Sequence, residues 1–249
     1  MKLTVLGSGT SVPHASRSAP AFWLDTLAGS LLLDIGPDTA HRMAEEKLDW
    51  PNLDAIWVSH FHLDHFGGLA PFLFSMKWAP QTQARTKTLR IAGPEGLRNL
   101  LYSINDANNY RLFSQPFNIE VFEIKPSAQF EILPGVAATT MKTPHTKESL
   151  ALHLKDLDNK TFVYAGDTGY VEELAAFARN VNLLLMECSS EETNLCAHIS
   201  SLLKLPGWVK LLTQKCWYSH ISTRSGTGSM SSVKLTHSAR VKLLRLGTV

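Results

Sequence analysis

The stretch Ser59-His60-Phe61-His62-Leu63-Asp64-His65 limits what this chain can become more than any other part of it. Three imidazoles and a carboxylate packed this closely are hard to explain as core packing. His60 and His62 are separated by one residue, so in an extended segment both rings point to the same side. The apolar run 55–58 reads as a buried strand that delivers them, and 66–77 reads as a helix that leaves. Asp64 and His65 therefore fall at the turn into that helix, where they can face a second ion beside the first. Neutral imidazoles and carboxylates suit zinc, with manganese or iron as alternatives when the oxygen content rises. Gly67 and Gly68, immediately after, permit close approach of backbone to the site.

Such a run cannot close two coordination spheres alone. His145, set by Pro144 in Thr143-Pro144-His145-Thr146, is the third ligand expected for the ion on His60 and His62. Asp167 ends an apolar strand in Tyr164-Ala165-Gly166-Asp167-Thr168-Gly169, and a carboxylate can bridge two cations with its two oxygens. A surface histidine and an Asx-turn are the competing readings. Either would leave the second ion short of ligands.

The rest of the chain supplies a scaffold. Residues 3–6 form a first strand that enters the turn Gly7-Ser8-Gly9-Thr10, and a hairpin over 21–27 and 30–34 turns at Ala28-Gly29. The spacing of Ala40, Met43, Ala44 and Leu48 predicts a helix over 39–48. Strands are expected at 88–92, 119–124, 136–142, 150–154 and 161–165, and another at 183–186 that ends at Glu187. Pro94 is expected to open a helix at 95–102, and 171–178 is read as helical. Strand after strand ends in His, Asp or Glu, placing the polar groups along one edge of a sheet. Hairpins in both halves, with helices between some strands, fit an α+β, four-layered αββα sandwich better than a doubly wound parallel sheet.

Composition narrows the function classes. The 24 basic and 22 acidic residues leave a formal charge of only +2, too little for a global field that captures nucleic acid; any steering would come from a local basic strip. Cys188, Cys196 and Cys216 are too few and too irregular for a disulfide framework. No apolar run approaches the roughly 20 residues that span a bilayer, and the first residues leave no room for a cleavable signal core. A cytoplasmic protein of one domain over 1–249 is the expectation.

The strand followed by Ser-His-Phe-His-Leu-Asp-His-Phe-Gly-Gly resembles the Thr-His-x-His-x-Asp-His-x-x-Gly motif of the metallo-beta-lactamase superfamily. Leu6-Gly7-Ser8-Gly9-Thr10 with Pro13, Leu33-Asp34-Ile35-Gly36, Thr143-Pro144-His145-Thr146 and Gly166-Asp167-Thr168 narrow the resemblance to its ribonuclease Z-like branch, over residues 1 to about 225. The resemblance implies a dinuclear zinc site. In it His60, His62 and His145 hold one ion, Asp64, His65 and a later histidine hold the other, and Asp167 bridges them. His220, in Tyr218-Ser219-His220-Ile221-Ser222-Thr223-Arg224, is similar to the family's last ligand, with His237 as the rival because the approach to His220 departs from the pattern. That departure makes the segment from about 200 atypical. His198, in Cys196-Ala197-His198-Ile199-Ser200, resembles the family's proton donor or phosphate contact. Asp34 and Glu187 would orient ligating imidazoles or His198 from behind.

The resemblance points to a phosphodiester hydrolase, with tRNA 3′-end processing the branch's best-known activity. Asp64 and Asp167 would orient the attacking water, and His198 would serve the leaving oxygen. The extended arm with which such enzymes grip tRNA is missing. The basic segment 74–90, with Lys77, Arg85, Lys87 and Arg90, is short. A small diester such as a cyclic nucleotide is therefore an alternative substrate. A carboxylic ester or lactone hydrolase, with Phe22, Trp23, Phe72 and Trp78 at its mouth, and a non-catalytic metal-binding protein are further alternatives. The branch also implies a homodimer, for which Phe66, Leu69, Phe72, Leu73, Met76 and Trp78 offer apolar surface.

Overall fold

The computed structural model describes residues 1–188 and the strands at 209–214, 232–235 and 241–245. In chain order the elements are β1 (Lys2–Gly7), β2 (Ala21–Thr26), β3 (Gly29–Leu33), α1 (Thr39–Glu45), β4 (Ala55–Trp57), α2 (Leu63–Phe66), α3 (Leu69–Trp78), β5 (Leu89–Pro94), α4 (Leu97–Ala107) and β6 (Ile119–Ile124). There follow β7 (Gln129–Leu133), β8 (Val136–Lys142), β9 (Leu150–Lys155), β10 (Thr161–Tyr164), α5 (Glu173–Phe177), β11 (Leu183–Cys188), β12 (Val209–Gln214), β13 (Ser232–Leu235) and β14 (Val241–Arg245). They form two seven-stranded sheets, ordered β13-β1-β2-β3-β4-β5-β6 and β14-β12-β11-β10-β9-β8-β7.

The continuous apolar runs of the central strands follow from burial on both faces. In β3, Leu31 and Leu33 face the second sheet while Leu32 faces the helices; in β4, Ala55 and Trp57 do the former and Ile56 the latter. On the second sheet, Phe162, Tyr164, Leu183 and Leu185 point into the same inter-sheet core, and Val163, Leu184 and Met186 pack with Leu174 of α5. The layers are thus helix, sheet, sheet, helix. Rings lock the two sheets together: Phe22 meets Tyr164 at 5.5 Å, and Trp57 stacks on Phe130 at 6.2 Å. Each buried aromatic or aliphatic side chain contributes about 1.5–3 kcal/mol of hydrophobic stabilisation.

The expected helix at 95–102 begins instead at Leu97, after Gly96 in the left-handed region, and runs on to Ala107. Pro94 closes β5, pairing with Ile124 beyond the last residue that β4 pairs. A proline costs little at a strand end where no ladder donor is needed. The predicted helix over 66–77 is two pieces, α2 and α3, so Asp64 and His65 lie inside a helical turn rather than ahead of one. Among the described residues, no helix is long and apolar enough to cross a membrane.

Candidate metal centre

Four loops at one edge of the sandwich meet here. The turn after β3 is stitched to the histidine turn by Asp34 N–H to Trp57 O (2.8 Å), Ile35 N–H to His65 O (2.7 Å) and Gly68 N–H to Ile35 O (2.8 Å). A side chain at Gly36 would collide with the carbonyl oxygen of Asp64 at 2.2 Å, so glycine is required for the two turns to touch. From the second sheet, Leu150 N–H donates to Ser59 O (3.0 Å), and Gly169 N–H donates to Pro144 O (2.8 Å). Gly166, at φ +61, lies tightly against Ser59; a Cβ there would be 3.0 Å from Ser59 Oγ, and the positive φ itself favours glycine.

Asp34 is the hub behind this contact. One carboxylate oxygen accepts the backbone N–H of Ser59 at 2.7 Å; the other accepts the Ser59 hydroxyl at 2.7 Å, His65 Nδ1 at 2.5 Å and the Tyr164 hydroxyl. The Ser59 hydroxyl has one proton, and with that proton on Asp34 its oxygen accepts from His60 Nδ1 at 3.0 Å. His60 is thereby held as the tautomer whose Nε2 carries the lone pair. Burial, and next the charge of His65, push His60 down to about 4, in keeping with a neutral ring.

His65 behaves oppositely. Burial lowers its imidazole, but Asp34 and Asp167 outweigh burial and carry it up to about 10. Its Nε2 lies 3.0 Å from Asp167 Oδ1 and 3.8 Å from Asp64 Oδ2. Burial raises the Asp167 carboxyl, but the hydrogen bond and charge of His65 overcome this and hold it at about 2. The Tyr164 hydroxyl is raised well above its ordinary range, by burial first and the Asp34 charge second.

Ligand atoms of His60, His62, His145 and Asp167 all lie within 4.8 Å of one another. His145 Nε2 is 3.0 Å from His62 Nδ1 and 3.5 Å from Asp167 Oδ2. Two imidazole nitrogens this close are near the separation given by shared coordination at about 2.0–2.1 Å each. His60 Nε2 is a buried polar atom with no hydrogen-bond partner among the described residues, aimed into the same space. A buried lone pair left without a donor is costly unless a cation meets it. The donor set, three imidazoles and a carboxylate with a fourth imidazole adjacent, fits a divalent metal of the zinc class.

A model of the family described as Anti-Pycsar protein Apyc1 matches residues 1–238. The chain belongs to this family. The Apyc1-family chain is also 24% identical over 238 residues to Ribonuclease Z of Thermoplasma volcanium, covering 78% of this chain and 76% of that protein. Other proteins named Ribonuclease Z match at 30–31% identity over only 40–50% of their own length. Among solved structures, the short form of human tRNase Z superposes with a TM-score of 0.73 at 19% identity, covering 96% of this chain and 97% of that one. The metallo-beta-lactamase fold protein YhfI from Bacillus subtilis gives 0.71 at 20% identity, covering 97% and 98%. The fold is that of the metallo-beta-lactamases, and proteins named Ribonuclease Z are among the chain's sequence relatives.

In this Apyc1-family chain, a cleft of about 750 Å³ opens over His62, Asp64, His145 and Asp167, and its far wall is the β1–β2 loop with Thr10, His14 and Arg17. Glu187 lies at the end of β11, and His198, His220 and His237 lie outside the described residues. Sequence reasoning missed Tyr164 and Ser59 as partners of Asp34. The available signal was a tyrosine at an inward-facing strand position, since a buried phenol needs an acceptor. The aromatics suggested for an ester pocket do not line the cleft: Phe22, Trp23 and Phe72 are core residues, and Trp78 is exposed on α3. Phe66, Leu69, Phe72, Leu73 and Met76 likewise fill the chain's own helix-facing core, so of the surface suggested for a homodimer only Trp78 remains outside.

Proposed function

We propose that this chain is a two-ion phosphodiester hydrolase. The observation that carries the reading is the convergence of His60, His62, His145 and Asp167, with His65 on the other side of Asp167, at the floor of an open cleft. His60, His62 and His145 would hold one ion; Asp64, His65 and His220 would hold the second, with Asp167 between them and zinc the metal the donors suit best. When bound, divalent ions supply Lewis acidity towards a water and towards the phosphate oxygens. The chain's own residues do the rest. Asp34 and Ser59 set the tautomers of His65 and His60, and Asp64 and Asp167 orient the attacking water by accepting its protons. His198 protonates the leaving oxygen, with Glu187 orienting it.

A small diester is favoured over tRNA by the fate of the basic segment. The Arg85 guanidinium is buried, donating to the carbonyl oxygens of Pro51, Leu53, Lys87 and Thr88. Lys87 pairs with Asp54, Arg90 lies over Phe122 and donates to Ile132 O, and Lys77 donates to Arg111 O. Cations spent on the protein's own carbonyls and carboxylates leave little for a phosphate backbone. The cleft, at about 750 Å³, is on the scale of a single nucleotide-sized ligand. A cytoplasmic homodimer joined through Phe74 and Trp78, both exposed on α3, completes the reading.

The test is metal stoichiometry together with hydrolysis of bis(p-nitrophenyl) phosphate, in the wild type, His220→Ala and His237→Ala. Two ions, with hydrolysis lost in His220→Ala alone, is the expected result. An occupied site without hydrolysis would overturn the assignment. Parallel assays on a 3′-extended tRNA and a cyclic nucleotide decide between the two substrate classes.

A further inference from the structure

We infer that Tyr164 is a positioning residue for the second ion: its hydroxyl, acting through Asp34, fixes the ring of His65. The inference rests on the two-ion reading above and deepens it. Tyr164 lies on β10, pointing into the layer between the sheets, where it is buried against Phe22. A phenylalanine would fill that space equally well, so packing alone does not account for the hydroxyl. The hydroxyl donates to Asp34 Oδ2, on the turn after β3 of the other sheet, 130 positions away in the chain. The same oxygen accepts His65 Nδ1 at 2.5 Å.

Three residues after Tyr164, the same chain segment presents Asp167, whose Oδ1 is 3.0 Å from His65 Nε2. β10 and the turn after it therefore reach both nitrogens of a ring carried by the first sheet, one through Asp34 and the other directly. Asp34 itself holds φ at +54, an unfavourable region for a residue with a side chain. Such a conformation persists only where the surroundings over-determine it, and the Tyr164 hydroxyl is one of the four donors that do so. Along hydrogen bonds His60 is one step further from Asp34 than His65 is, by way of the Ser59 hydroxyl. Loss of the phenol oxygen should therefore be felt at the His65 side and spare the ion held by His60, His62 and His145.

The experiment is a stepwise cobalt titration of the metal-free full chain, following the visible bands of each ion, for the wild type, Tyr164→Phe, Asp34→Asn and the double variant. Tyr164→Phe should weaken the second binding event about 10–100-fold, the range for groups that orient metal ligands, and leave the first unchanged. In the Asp34→Asn background the same change should add little, because the path it acts through is already cut. Equal weakening of both events, no weakening, or an undiminished effect in the Asp34→Asn background would each overturn the inference. A single binding event in the wild type would sink the two-ion reading along with it, whereas two events that Tyr164→Phe leaves untouched would sink this inference alone. Should Tyr164→Phe fail to fold, the Asp34→Asn titration decides: Asp34 holds His65 directly and His60 only through Ser59, so a larger loss at the second event than at the first is required, and an equal loss would overturn the inference.

Discussion

The two sides of the ligand cluster are built differently. On the inner side His60 and His65 are buried, each with its Nδ1 committed to a protein partner that traces back to Asp34. On the outer side His62 and His145 are exposed, and their rings meet at 3.0 Å between His145 Nε2 and His62 Nδ1. The inner rings are oriented by the fold before any ion arrives, whereas the outer rings converge on a position that a cation would complete. Preorganisation thus comes from the side that water does not reach.

This contrast can be broken, and the largest effect is expected where the two sides meet. Asp167→Ala should lower hydrolysis of bis(p-nitrophenyl) phosphate by more than about 100-fold, the upper end for outer partners alone, and reduce bound metal to at most one ion. Asp34→Asn strikes the inner side only. It should cost about 10–100-fold in affinity for the second ion and less for the first, where His60 is reached through Ser59 and His62 and His145 are untouched, as read by chelator competition.

A third expectation concerns a charged group away from the cluster. Arg85→Met should destabilise the fold by about 2–3 kcal/mol, because buried carbonyls lose their donors, without changing kcat. Denaturant unfolding beside steady-state kinetics would check it, and a fall in RNA binding without loss of stability would instead make the basic segment 74–90 an RNA contact. The inner network also sets a pH dependence in the metal-free protein. His65 is raised from 6.5 to about 10, so its ion pairs contribute fully below pH 6.5 and are lost as pH rises through about 10. Thermal unfolding of the metal-free chain should therefore shift downward between those limits, and Asp34→Asn should flatten the slope. The smallest effect is expected for Lys87→Ala, about 0–1 kcal/mol, since its pairing with Asp54 is half exposed.

Much of this was legible along the chain because it is local. The histidine run, the strands at 119–124, 136–142 and 150–155, and the turn at Gly166-Asp167 declare themselves through alternation, spacing and turn chemistry. Arg85 did not: a cation among lysines in a polar loop reads as solvated, and only the fold of 51–53 around it makes it a buried donor to four carbonyls. Pro94 misled for a related reason, since its tolerance in β5 depends on where the neighbouring strand stops.

The sequence by itself determined which side chains could hold a metal, and that they sit at strand ends, because residue type and a two- or three-residue spacing are local properties. The tertiary structure decided which of them meet, and which lone pairs are left for an ion. Tyr164, Asp34 and His65 share one carboxylate oxygen although they come from opposite sheets. No pattern along a chain encodes that meeting, because it follows from packing two twisted sheets face to face, where the apolar contacts bring the strands together and the buried polar groups must then find one another.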